Sequence, residues 1–197
     1  MAVPKARSIA EAHLYLGLVP CVCGEVDFDA VSEVLSYAPP VVRYVGNCSR
    51  CGQFREFILE VANPPDEDDL PFAFGYGTEP STLIDAGLWL VVAQQLAQGA
   101  HEAAGAGALR GEAIPMAYEL LVSTAAAVDE IVKFLPEEAT AVPDEAFWTE
   151  GGRAARRAAP DWFSREYLLV LQSERWEAVK DIEDEYDLRE NDLEGRR

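Results

Sequence analysis

Four cysteines in a chain of 197 residues fall into two tight pairs, Cys21-Val22-Cys23 and Cys48-Ser49-Arg50-Cys51. Thiolates are soft donors, and four of them make a closed tetrahedral set with metal–sulfur bonds near ~2.3 Å. Each pair is followed by a glycine, Gly24 or Gly52. Glycine accepts positive φ, so the backbone can fold back over an ion. The spacing therefore predicts one metal site made by Cys21, Cys23, Cys48 and Cys51, with zinc the expected ion. Iron on the same sulfurs, and cysteines that are oxidised or free, are the alternatives. Four sulfur ligands leave no position for a substrate, so the chemistry expected is structural rather than catalytic.

The elements that position these residues follow from the local pattern. Ser8-Ile9-Ala10-Glu11 has capping-box form and predicts a helix over 9–17, ended by Gly17. Val26–Ala30 alternates apolar and acidic side chains, as a half-exposed strand does. Val41–Val45 and Phe54–Val61 read as two further strands, with the turn carrying Cys48 and Cys51 between them. That is a hairpin tipped by a metal knuckle.

Cys48-x-x-Cys51-Gly52 resembles the second knuckle of zinc ribbons and of rubredoxin-like folds. Pro20-Cys21-Val22-Cys23-Gly24 is similar to their first knuckle, Pro-Cys-x-x-Cys-Gly, but one residue shorter. The resemblance covers residues 18–62 and implies metal binding and a ribbon shape. The shorter pair implies unequal knuckles, with Cys21 or Cys23 partly replaceable and His13 an alternative ligand. As a whole the chain resembles uncharacterised zinc-ribbon proteins of high-GC bacteria in its use of Ala, Gly, Arg and Glu.

Beyond residue 62 the pattern changes. Asn63-Pro64-Pro65 and the acidic run 66–69 read as a linker over 63–80, with a short edge strand possible at Phe72, Phe74 and Tyr76. From residue 81 the period is helical. Asp85 caps a buried helix over 86–98 that Gly99 should end. The stretch 100–111 reads as a connection that holds His101. A helix entered near Pro115 carries the stripe Leu120, Leu121, Thr124, Val128, Ile131, Val132 and Leu135, closed by Pro136. Two more helices are expected near 144–158 and 161–190. The fold class is thus α+β: a small antiparallel β zinc-ribbon module within 1–62, then a bundle of about four α-helices over 81–197.

The formal charge is −19. It argues against direct contact with nucleic acid or an anionic membrane surface, and it favours a basic protein partner. Residues 174–194 contain ten acidic and three basic residues. Asp181, Glu183, Asp184, Glu185 and Asp187 are the candidate partner-binding ridge, with Trp162 and Trp176 as core residues or anchors. The basic cluster Arg153, Arg156 and Arg157 is expected to pair with this acidic helix. The first twenty residues lack the long apolar run of a secretory leader, and paired thiols then point to the reducing cytoplasm. No nucleophile–base or nucleotide-binding motif occurs.

The leading expectation is a non-catalytic protein-binding module on a zinc-stapled scaffold, with the charge and size of immunity proteins that inhibit toxins. The alternative is a zinc-ribbon adaptor or regulator in transcription or RNA metabolism. An enzyme working through acidic residues is the third reading.

Overall fold

The computed structural model describes residues 3–62, 74–105 and 113–186. The acidic run 66–69, Phe72, Asp187 and the end of the helix expected near 161–190 lie outside them. The chain divides into two compact units, Met1–Ile84 and Asp85–Arg197.

Among its described residues the first unit is a four-stranded sheet with one helix. Strand β1 (Lys5–Ala6) leads into helix α1 (Ile9–Leu18), and β2 (Val31–Tyr37), β3 (Pro40–Asn47) and β4 (Phe54–Val61) complete the sheet. The strand order is β1-β4-β3-β2. β2, β3 and β4 run antiparallel, while β1 joins β4 in parallel with Lys5 beside Glu60 and Ala6 beside Val61. The sheet is therefore mixed.

Helix α1 starts as its capping residues require. Ser8 Oγ accepts from the Glu11 backbone N–H at 2.9 Å, and the Glu11 carboxylate accepts from the Arg7 N–H at 2.6 Å. Period-two alternation in β4 turns Arg55, Phe57, Leu59 and Val61 to one face. Aromatic contacts with α1 lie on this side: His13 stands edge-on to Tyr44 at 5.6 Å and Tyr15 to Phe57 at 6.2 Å. The opposite face carries a charge ladder. Arg43 Nε donates to Glu56 at 2.6 Å, and its Nη1 lies 3.4 Å from Glu33.

Two sequence expectations change here. Val26–Ala30 is not a strand; only Phe28 pairs, with Cys48. The strand expected there lies at Val31–Tyr37, where a bulge between Val34 and Ser36 interrupts the alternation. Residues 74–80 are tied to the first unit. Ser8 Oγ donates to the Phe74 carbonyl at 2.5 Å and Arg7 Nη1 to the Glu79 carbonyl at 2.6 Å. Phe74 to Tyr76 form bends rather than a strand.

The second unit holds α2 (Ala86–Gly105), α3 (Ala113–Val132), α4 (Glu150–Ala158) and α5 (Arg165–Tyr186), with 3-10 turns at Asp144–Ala146 and Pro160–Phe163. Helix α2 runs through Gly99, which faces Leu120, and His101 is an exposed residue on this helix. Leu90 and Val128 line one groove while Gly99 meets Leu120, so α2 and α3 run antiparallel. Asp129 accepts from Gln172 Nε2 and Trp176 Nε1, and Glu183 accepts from the Tyr118 hydroxyl, so α3 and α5 are also antiparallel.

Asp85 joins α2 to α4. Its buried carboxylate accepts from the Leu88 N–H at 2.8 Å and from both the N–H and Oγ1 of Thr149 at 2.7 Å. Thr149 in turn caps α4 by accepting from the Gly152 N–H at 2.9 Å. The helices meet closely there, since a Cβ on Gly87 would lie 2.3 Å from the Gly152 carbonyl oxygen. The chain is α+β, a small sheet followed by a set of helices. Among the described residues no helix is long and apolar enough to cross a membrane.

Candidate metal centre

The two cysteine pairs, far apart in sequence, converge at one end of the sheet. The first follows α1 and the second is the turn between β3 and β4. Both turns close on themselves. In the first, the Cys21 N–H donates to the Glu25 carbonyl at 2.7 Å and the Gly24 N–H to the Cys21 carbonyl at 2.8 Å. In the second, the Cys48 N–H donates to the Gln53 carbonyl and the Gly52 N–H to the Cys48 carbonyl, each at 2.9 Å. Gly24 and Gly52 close them at φ of 86° and 72°, a region that L side chains rarely adopt. The first turn is thus the second with one residue removed from its loop.

All four sulfurs lie within 4.8 Å of one another. Cys21 Sγ is 3.6 Å from Cys51 Sγ, and Cys23 Sγ is 3.6 Å from Cys48 Sγ. A tetrahedron with ~2.3 Å zinc–sulfur bonds has edges of about 3.8 Å, so the set fits such an ion. Disulfides would require about 2.05 Å, and the four cysteines are unbridged. The cluster is a metal-binding knuckle pair of the zinc-ribbon and rubredoxin-like kind. Cys21 and Cys48 are buried while Cys51 is exposed.

The electrostatics of the bare thiols favour a cation. The Cys51 backbone N–H points at the Cys48 sulfur and, with the Arg50 N–H and neighbouring thiols, lowers the Cys48 pKa to about 7 against the cost of burial. The Gln53 N–H favours the Cys51 thiolate, but Cys23, burial and the remaining cysteines outweigh it and push Cys51 up to about 12. A cluster this close cannot shed all its protons unaided; a divalent ion supplies the missing charge.

Arg55 on β4 is the residue that sequence reasoning missed. It is 7% exposed, and its guanidinium sits 4.4 Å from the Phe28 ring centroid and 5.2 Å from that of Phe57. Nη1 donates to the Val26 carbonyl at 2.7 Å and Nη2 donates to the Val19 carbonyl. Those carbonyls lie on either side of the first knuckle, so one planar group clamps both ends of the loop that carries Cys21 and Cys23. The Ser49 N–H and Oγ both donate to the Asp27 carbonyl, at 3.1 and 3.2 Å, and so join the second knuckle to the same segment.

The chain matches no family model, no curated protein and no solved structure.

The remaining candidates are placed as follows. His13 packs on Tyr44 and is not among the clustered ligands. On α5, Asp181, Asp184 and Glu185 are exposed, whereas Glu183 is half-buried and accepts from Tyr118 Oη at 2.9 Å. Val179 and Ile182 on the same turns are buried. Among the described residues the arginines of α4 show no ion pair with this helix. Arg153 Nη1 donates to the Trp148 carbonyl, Arg156 Nη1 donates to the Pro160 carbonyl at 2.6 Å, and Arg156 Nε lies 4.0 Å from Asp144. Trp176 donates to Asp129 at 3.2 Å.

Proposed function

We propose that the chain is a non-catalytic protein-binding module, stapled by one zinc ion on Cys21, Cys23, Cys48 and Cys51, that offers an acidic surface to a basic protein partner in the cytoplasm. The reading rests most on one observation. Four sulfurs converge from two self-closed turns, a donor set that satisfies zinc fully and leaves no site for a substrate. Zinc on such a set supplies folding energy, while this chain's own turns and Arg55 hold the donors in place.

The candidate partner surface is the outer side of α5. Asp181, Asp184 and Glu185 project from a helix whose other side is anchored by Val179 and Ile182. Asp187 extends the same run in sequence, and Glu183 is committed to Tyr118. An inhibitor of a basic toxin would use such a surface to associate quickly.

The test uses the full chain. Partners captured from native lysate are measured by stopped-flow association with wild type and with Asp181→Lys/Asp184→Lys/Glu185→Lys. The expected result is a normal melting temperature and an association rate about tenfold lower at low salt, converging with wild type as salt rises. An unchanged rate removes α5 as the surface. Metal analysis of the reduced protein tests the zinc independently.

A second reading, a zinc-ribbon adaptor in transcription or RNA metabolism, is favoured by the terminal strand of the sheet. β2 pairs only with β3 among the described residues and exposes Val31, Val34, Leu35 and Tyr37. An added strand from a polymerase-type partner could extend it. Loss of binding on Leu35→Glu, with α5 reversal silent, would select this reading.

A further inference from the structure

The helical unit contains a groove of about 250 Å³ between α2, α3 and α5. Its floor is apolar, made by Leu90, Val128 and Leu171 with alanines of α2. The rim is polar and aromatic. Trp162 and Tyr167 are stacked there with ring centroids 5.6 Å apart and planes 14° from parallel. Gln94 and Gln98 lie on the α2 side, and Arg175 is the one charged residue among the described lining.

Arg175 is unusual for this chain. Acidic residues number 35, yet none is among the described residues that line the groove. On α5 the positions three and four residues from Arg175 are Leu171, Gln172, Ala178 and Val179, so no helical neighbour neutralises it. It makes no hydrogen bond or ion pair among the described residues, although it is half-buried. A cation kept free of partners above an apolar floor is complementary to an anion that carries an apolar body. Stacked aromatic rings at the rim suit a planar one. The volume lies below the ~300 Å³ at which drug-sized pockets begin, so the occupant is smaller than a drug. A net charge of −19 disfavours multiply charged ligands, which leaves a monoanion.

We infer that this groove binds a small planar monocarboxylate, with Arg175 holding the carboxylate and the Trp162–Tyr167 stack lying beside the ring. The inference is independent of the partner surface proposed for the C-terminal end of α5 and of the metal.

The probe is 2-naphthoate, with neutral 2-naphthamide as its isostere, titrated into full-length zinc-loaded protein by NMR and tryptophan fluorescence. Naphthoate should bind with a dissociation constant on the order of 0.1–1 mM, as expected for so few atoms. Naphthamide should bind at least about tenfold more weakly, because the charge-assisted hydrogen bond is lost. Arg175→Gln should bring naphthoate down to the level of naphthamide while the rest of the amide spectrum is retained. Trp162→Leu should weaken both probes together. Equal affinity for the two probes in wild type, a carboxylate preference that survives Arg175→Gln, or no shifts of groove residues up to 5 mM would each overturn the inference. If Arg175→Gln does not fold, the naphthoate–naphthamide comparison in wild type decides alone.

Discussion

Replacing Arg55 with methionine tests whether the metal centre depends on a residue that is not a ligand. The side chain is buried, so its two hydrogen bonds to the Val19 and Val26 carbonyls have no water to replace them. Bonds from a charged donor contribute about 1.5–3 kcal/mol each. Stacking on Phe28 and Phe57 adds about 0.5–2 kcal/mol as a cation–π contact. Methionine recovers part of this through sulfur–aromatic packing, and removing a buried charge relieves desolvation. The net loss expected is about 2–4 kcal/mol. If it falls on the folded, metal-bound state alone, zinc affinity drops by about 30- to 1,000-fold. The assay is competition with a chromophoric chelator at fixed pH, beside the four cysteines' own serine variants. Arg55→Lys should lose most of the same affinity, because an ammonium lacks the planar fork that reaches two carbonyls at once. Affinity within threefold of wild type for Arg55→Met would refute the clamp and leave the cysteine turns self-sufficient.

Other outcomes follow from the same structure. Cys48→Ser should abolish stoichiometric zinc in the reduced protein and unfold the ribbon part of the first unit, as read by metal analysis and amide exchange. Gly24→Ala and Gly52→Ala, both at positive φ, should each destabilise the ribbon by about 1–2 kcal/mol in denaturant titrations; no effect at Gly24 would mean the first knuckle has slack. Asp85→Ala removes a helix cap and leaves the Thr149 N–H unpaired, so the helical unit should lose about 3 kcal/mol in thermal melts, while Asp85→Asn should lose less. Zinc affinity should rise with pH. Cys48 sits near 7 but Cys51 near 12 without metal, so protons must leave on binding and the dissociation constant falls as pH increases; a flat profile from pH 6 to 8 would contradict thiolate ligation.

Local signals made much of this legible. The β3–β4 hairpin follows from β-branched and aromatic runs flanking Cys48 and Cys51, and α1 follows from Ser8 and Glu11, because each needs only nearby residues. Long-range partners erased other signals. Val26–Ala30 alternates like a strand, yet its carbonyls are taken by Arg55 and Ser49 rather than by a neighbouring strand. Val31–Tyr37 is a strand whose bulge shifts the side-chain alternation, so its period of two is hard to see. Gly99 looks like a helix stop but packs beside Leu120, and tertiary contact carries the helix onward. Arg55 reads as an ordinary strand arginine until the fold places two distant carbonyls around it. The groove at Arg175 was invisible for the same reason, since its walls come from three helices and a 3-10 turn.

The pinning of Val19 and Val26 by one guanidinium has a consequence for how this chain can vary in length. The span between the pins is a closed loop, and its internal bonds run from Cys21 to Glu25 and from Gly24 back to Cys21. A residue lost inside that span shortens the loop without sliding α1 or the strands. The same loss outside it would rotate every following side chain to the wrong face of the sheet. The one-residue difference between the two knuckles falls inside such a span. Sheet register and donor geometry are thereby set by separate bonds, and mutation can alter one while leaving the other intact.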